Sequence, residues 1–263
     1  MIIIAHRGAN REALENSWDA FEKAVDAGAA MIEFDVHLTR DGEIVVAHDH
    51  DLFKVTGEHC DVRKLKRSDI ESRRLLDGSL IPFLKEVLNR FLPCIQLNIE
   101  IKGSSVELAK AVGNMVSSHS GADKVIISSF GLPPLEYLAY HEPHLKRAFL
   151  CGGDHSWRGI KSYAPNIYMD ELNTNILHPC CTMVNENLMD QAKSRGWIVN
   201  AWVPMDYEEE NREAFWTAMQ TLGVDGLCTN YPRQLKRWFE EVETNATIFS
   251  RIEKDLANRF HRS

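Results

Sequence analysis

The chain has 263 residues, 44% of them hydrophobic and 26% charged, with 38 Asp and Glu against 30 Lys and Arg for a formal net charge of -8. Such a chain fits an ordinary soluble protein of one large domain or two small ones. The acidic balance argues against a nucleic-acid backbone as partner, since that needs a basic face to displace counterions; any phosphate recognised must be met by a few local cations.

The opening MIIIAHRG has no basic leader followed by a long apolar region and a cleavage site. No stretch approaches about 18 apolar residues, so neither a membrane anchor nor secretion is expected and a cytoplasmic location is. Six cysteines (Cys60, Cys94, Cys151, Cys180, Cys181 and Cys228) are scattered without a CxxC pair and are expected to be reduced, structural thiols. The sequon at Asn245 is read as a chance match.

Apolar runs of strand length recur along the chain: IIIA at 2–5, MIEFDV at 31–36, IQLNIEI at 95–101, KVIISS at 124–129, RAFL at 147–150, NIYMD at 166–170, WIVNAWV at 197–203 and VDGLCTN at 224–230. Helix-spaced segments lie between them. In SWDAFEKAVDAG, Ser17 can cap and Gly28 can end the helix; SSVELAKAVGNMVSSH, PPLEYLAYH, SWRGIKSYA, NENLMDQAKSRG, EEENREAFWTAMQTLG and PRQLKRWFEEVE follow. Eight strand candidates with interposed helices predict one α/β domain over 1–263, a (β/α)8 TIM barrel. The alternative, an open doubly wound sheet, would need a glycine-rich phosphate loop after the first strand, and AHRGANRE has a single glycine. A polar, charged interval over 49–81 reads as a small insertion over the barrel mouth or as a plain surface excursion, ending in the helical IPFLKEVLNRFL.

Side chains of a strand alternate faces, so Glu33, Asp35 and His37 share one side of the second strand while Ile32, Phe34 and Val36 share the other. In the third strand Leu97, Ile99 and Ile101 point to the helices, and Asn98, Glu100 and Lys102 point to the axis. Buried unpaired charges cost several kcal/mol each, so three inward carboxylates and a lysine persist only if they pair or hold a metal ion. Glu100 and Lys102 could form a plain internal ion pair. Carboxylates at the C-terminal ends of adjacent strands, where barrels build their sites, favour the metal, and all-oxygen ligation selects a divalent hard cation, Mg²⁺ or Ca²⁺. His6 and His48 end apolar runs beside Arg7 and Asp49, where imidazole suits proton transfer near neutral pH. The other histidines are read as structural.

The blocks AHRGANREALENS, EFDVHLTRDGEIVVAHD and LNIEIK resemble the signatures of glycerophosphodiester phosphodiesterases, and the resemblance continues through LIPFLKEVL, SSF, AWV and GVDGLCTNYP. It implies a β/α barrel that binds a divalent metal and splits small glycerophosphodiesters into glycerol 3-phosphate and an alcohol. By motif position it implies metal ligation by Glu33, Asp35 and Glu100, acid-base roles for His6 and His48, and phosphate contacts from Arg7 and Lys102. Glu15 and Asn16 match an EN element and are expected to support the site by hydrogen bonds or at the metal, or else to cap the following helix. Trp202 and Phe130 are pocket candidates with ordinary core as the alternative.

The family often has Thr-Val-Asn after that tryptophan, where this chain has Val203, Pro204 and Met205, and often Asp at the position of Asn230. Neither departure is expected to touch the catalytic set. Alternatives with a different substrate or class are a lysophospholipase D or sphingomyelinase D-like phosphodiesterase and a non-catalytic barrel that binds phosphoryl ligands. The tail over 243–263 carries Ile248, Ile252, Leu256 and Phe260 at helical spacing, which reads as a helix docked on the barrel or as a homodimer surface.

Overall fold

The computed structural model describes residues 1–152, 165–205 and 207–244. Nine strands form one sheet: β1 (Ile2–His6), β2 (Met31–Leu38), β3 (Ile44–Val46), β4 (Gln96–Ile101), β5 (Val125–Ser129), β6 (Lys146–Cys151), β7 (Ile176–Pro179), β8 (Ile198–Trp202) and β9 (Gly226–Thr229). All except β3 are parallel, and β1 pairs with both β2 and β9, which closes an eight-stranded barrel. β3 pairs antiparallel with β2 as a short hairpin arm. The turn that makes it is the TRDGE segment, with Gly42 left-handed at φ 86° and the Thr39 N–H donating to the Glu43 carbonyl.

The described helices are α1 (Trp18–Asp26), α2 (Phe53–Thr56), α3 (Arg67–Glu71), α4 (Leu84–Phe91), α5 (Val106–Ser117), α6 (Leu132–His141), α7 (Pro165–Glu171), α8 (Glu186–Arg195), α9 (Arg212–Leu222) and α10 over 232–244. Ser17 caps α1 by accepting the Ala20 N–H, and Gly28 follows its end at φ 74°. The outward side chains of β2 and β4 (Ile32, Phe34, Val36, Leu97, Ile99 and Ile101) pack in one core with α1, α4 and α5. A second core does the same for the later strands and helices.

NIYMD at 166–170 is helical, not a strand; the barrel strand in that region is the later run ILHP. Pro165 pre-sets the first helical turn, and the buried residues Pro165, Met169 and Leu172 recur at steps of four and three, the period of a helix. Ile167 and Asn166 therefore face away from the barrel. The helix expected in SWRGIKSYA and the tail over 245–263, with its dimer reading, lie outside the described residues.

Inside the barrel the alternation gives layers. Ile4, Met31, Ile126, Ala148, Ile176 and Cys228 fill an apolar floor. One inward step further along each strand come His6, Glu33, Asn98, Ser128, His178 and Asn200, and a further step brings Asp35, Glu100 and Trp202. The interval over 49–81 has a small core of its own, in which Leu52, Val62, Ile70 and Leu75 meet Val45 and Phe83.

Candidate active site

Asp35 stands opposite Glu100 in the register of β2 and β4. Ligand oxygens of Glu33, Asp35 and Glu100 lie within 4.8 Å of one another, and all three residues are buried. Lys102 Nζ bridges two of them, 2.8 Å from Glu100 Oε1 and 3.3 Å from Asp35 Oδ1. Arg7 Nε is 3.4 Å from Asp35 Oδ2, which also accepts from Asn16 Nδ2 at 3.0 Å. Burial opposes the charge on Asp35, yet Lys102 and Arg7 hold its carboxyl well below the usual range. Burial likewise opposes the charge on Lys102, and Glu100 and Asp35 outweigh it, so its ammonium is held more firmly than usual.

Glu33 is different. Among the described residues its carboxylate has one hydrogen-bond donor, the Arg7 backbone N–H at 3.0 Å, and no ion pair. Burial, with Asp35 and Glu100 beside it, pushes its pKa well above the ordinary value. A buried oxygen-only cluster whose negative charge exceeds its local cations has the donor set of a hard divalent cation. These three residues fit such an ion.

The turn after β1 brings Arg7 to this cluster. Arg7 is left-handed at φ 54° and Gly8 at φ 78°. A Cβ at Gly8 would come within 2.7 Å of the Ala20 backbone, so only glycine fits. Strain of this kind at a non-glycine residue costs on the order of 1 kcal/mol or more and persists where contacts over-determine it. Here they do: the Arg7 N–H holds Glu33, and its guanidinium donates to Glu15 Oε1 at 3.1 Å. Glu15 Oε2 in turn accepts from Lys54 at 2.7 Å. Glu15 and Asn16 both hydrogen-bond within this network, while Ser17 caps α1.

His6, Arg7, Glu33, His48, Glu100, Lys102, Phe130 and Trp202 line one cavity of about 850 Å³ at the C-terminal end of the barrel. Asp35, Glu15 and Asn16 lie behind that lining. His6 Nδ1 is 2.8 Å from Asn230 Oδ1, and burial, reinforced by the Arg7 charge, lowers its pKa to about 3 despite Asp35 and this hydrogen bond. Its imidazole is neutral at pH 7. His48 Nδ1 meets Asp49 Oδ1 at 2.9 Å, and the His48 backbone carbonyl accepts from His37 Nε2 at 3.0 Å. His37, read as merely structural, thus braces the segment that carries His48. Trp202 packs edge-on against Phe130 with ring centroids 5.7 Å apart and donates Nε1–H to the Cys151 carbonyl at 3.1 Å.

Several polar residues here belong to no motif that singles them out in the sequence. Asn230 was expected not to touch the catalytic set, yet it contacts His6 directly; it follows the end of β9 at the barrel mouth, and that position was its signal. Deeper in the barrel, His178 lies 3.4 Å from Asn98 Nδ2 and 3.1 Å from Asn200 Nδ2, and burial lowers its pKa to about 3. Asn200 shares inward parity with Trp202 within WIVNAWV, a polar residue in an apolar run that could have been noticed. His178 lies in ILHP, a run too short and too polar to declare a strand in the sequence.

A closed β/α barrel with buried carboxylates, two cations and two histidines at the C-terminal mouth defines a barrel enzyme of the phosphoryl-transfer type. Residues 6–234 match the Glycerophosphoryl diester phosphodiesterase family, and the chain belongs to that family of phosphoric diester hydrolases. The glycerophosphodiester phosphodiesterase of Caldanaerobacter subterraneus subsp. tengcongensis is 30% identical over 254 residues, 89% of this chain and 96% of that one. Lysophospholipase D GDPD1 of Homo sapiens is 28% identical over 273 residues, 89% of this chain and 84% of the human one. An Oleispira antarctica phosphodiesterase, solved with the product sn-glycerol-3-phosphate, has the same fold at a TM-score of 0.77 and 22% identity, covering 91% of this chain and 97% of that one. No helix among the described residues is long and apolar enough to cross a membrane.

Proposed function

We propose that the chain hydrolyses small glycerophosphodiesters to glycerol 3-phosphate and an alcohol, using a divalent cation and acid-base catalysis by His6 and His48. One observation carries the reading: the clustered oxygens of Glu33, Asp35 and Glu100 share a cavity mouth with both histidines and with Arg7 and Lys102. Glu33, Asp35 and Glu100 would hold Mg²⁺ or Ca²⁺, which when bound supplies positive charge to the phosphate oxygens. Arg7 and Lys102 add fixed positive charge to the same oxygens during in-line displacement. His6, half-buried with a neutral ring, suits the proton acceptor; His48, beside Asp49 on the more open side, suits the donor to the leaving alkoxide. Trp202 and Phe130 offer an apolar wall to the glycerol or the alcohol. The interval over 49–81 contributes Asp49, His50 and Arg63 to the cavity lining and is taken as an insertion over the mouth of a single catalytic domain.

A cytoplasmic location accords with six cysteines scattered along the chain without a CxxC pair. The reading is tested by His6→Ala and His48→Ala, each expected to lose about 10²–10⁴ in kcat with the fold intact by circular dichroism. Near-normal turnover in either would reject the acid-base assignment.

A second reading, lysophospholipase D activity, draws on the human relative and on Phe53, Leu76 and Leu80, which are exposed on the 49–81 interval where a lipid chain would approach. Turnover of glycerophosphocholine against lysophosphatidylcholine separates the two.

A further inference from the structure

Around His6 the direction of every hydrogen bond can be deduced from backbone carbonyls, which only accept. Asn10 Nδ2 lies 2.6 Å from the His6 carbonyl and 2.8 Å from the Asn230 side chain. The atom facing a carbonyl must be the amide nitrogen, so Asn10 is the donor in both contacts and Asn230 must turn its oxygen toward it. The opposite end of the Asn230 amide agrees, with Nδ2 directed at the Pro204 carbonyl at 3.4 Å. Asn230 Oδ1 is therefore an acceptor, and His6 Nδ1, 2.8 Å away, can satisfy it only by carrying the proton. The other ring nitrogen, Nε2, is left with its lone pair and has no hydrogen-bond partner among the described residues.

Asn230 is itself held. Its backbone N–H donates to Glu208 Oε2 at 2.8 Å, and the fully buried Glu208 carboxylate also accepts from Thr229 Oγ1 at 2.6 Å and Trp216 Nε1 at 3.1 Å. The carboxylate thus ties the end of β9 to α9 and fixes the backbone from which the Asn230 amide reaches His6. Orientation of a catalytic imidazole by a partner on its far nitrogen is how a tautomer is chosen in other hydrolases.

We propose that Asn230, aligned by Asn10 and anchored by Glu208, is a positioning residue that locks His6 in the Nδ1–H tautomer and presents Nε2 as the proton-accepting atom. The proposal rests on the reading of His6 as a proton-transfer group. The full chain, labelled with ¹⁵N-histidine and supplied with Mg²⁺, tests it by long-range ¹H–¹⁵N correlation, with His6 assigned from the resonance lost in His6→Gln. The wild type should show the Nδ1–H form. Asn230→Ala should release the Nε2–H form and lower kcat about 10²–10⁴-fold, with KM changed less than about threefold. Asn230→Asp, which keeps an acceptor at the same place, should restore the Nδ1–H form and a rate within about tenfold of wild type. An Nε2–H form in the wild type overturns the proposal without any variant having to fold, and so does an unchanged tautomer in Asn230→Ala. An altered tautomer with unchanged kcat would instead contradict the reading of His6 on which the proposal rests.

Discussion

Asp35 and Glu100 face each other across β2 and β4, and the ammonium of Lys102 sits between them at 3.3 and 2.8 Å. Two buried carboxylates in direct register repel unless a cation shares them, so Lys102 is part of what allows this sheet to close. Removing one member of a buried pair leaves charge uncompensated and costs about 3–5 kcal/mol. Lys102→Met should therefore lower the metal-free melting temperature by on the order of 10 °C, and added Mg²⁺ or Ca²⁺ should recover part of the loss. Differential scanning calorimetry with and without the cation checks both; an unchanged transition would mean that Lys102 does not balance the pair.

Glu33 makes the opposite prediction. Its folded pKa lies above the unfolded value of about 4.3, so in the metal-free protein the folded state binds more protons there, and the Glu33 contribution to stability falls as pH rises through that interval. A cation that neutralises the site reverses the effect at neutral pH. Glu33→Gln should make the metal-free protein more stable than wild type at pH 7 and abolish the rise in melting temperature on adding Mg²⁺ or Ca²⁺. Equal cation-induced shifts in the two proteins would remove Glu33 from the metal site.

His6 offers a spectroscopic test. Burial and Arg7 depress its pKa to about 3, so the imidazole should stay neutral from pH 8 down to pH 5. Its Cε1–H resonance should not titrate in that range. A midpoint between pH 6 and 7 would place the ring in a more open or more anionic setting than this site provides.

His37 donates to the His48 carbonyl, a bond worth about 1 kcal/mol. His37→Leu should leave melting within a few degrees of wild type but lower kcat about tenfold by loosening the segment that carries His48. Unchanged kcat would show that His48 is held by other contacts, such as the hydrogen bond from its neighbour Ala47 to the Asp35 carbonyl at 3.0 Å.

The parts of this architecture that could be read in the sequence are those set by local alternation. MIEFDV and LNIEIK declare their two faces within one strand, and the inward set Glu33, Asp35, Glu100 and Lys102 follows from period two alone. NIYMD reads equally well as a strand because five mixed residues carry no clear period, and the helix shows in the burial of Pro165, Met169 and Leu172 on one face. ILHP was too short and too polar at His178 to stand out. The partners of the histidines were hidden for a different reason. His6 and Asn230 are 224 residues apart and meet only because the barrel closes β1 against β9. Glu15 was visible as a motif, but its second partner Lys54 comes from the 49–81 interval, which has no fixed period to place it.

The central claim is tested most directly by product analysis of the purified chain acting on glycerophosphocholine, with Mg²⁺ or Ca²⁺ present and after stringent chelation. Stoichiometric glycerol 3-phosphate and choline are expected with the cation, with loss of turnover on chelation and its return on adding the cation back. Full activity after metal removal, or phosphocholine in place of glycerol 3-phosphate, would contradict the claim.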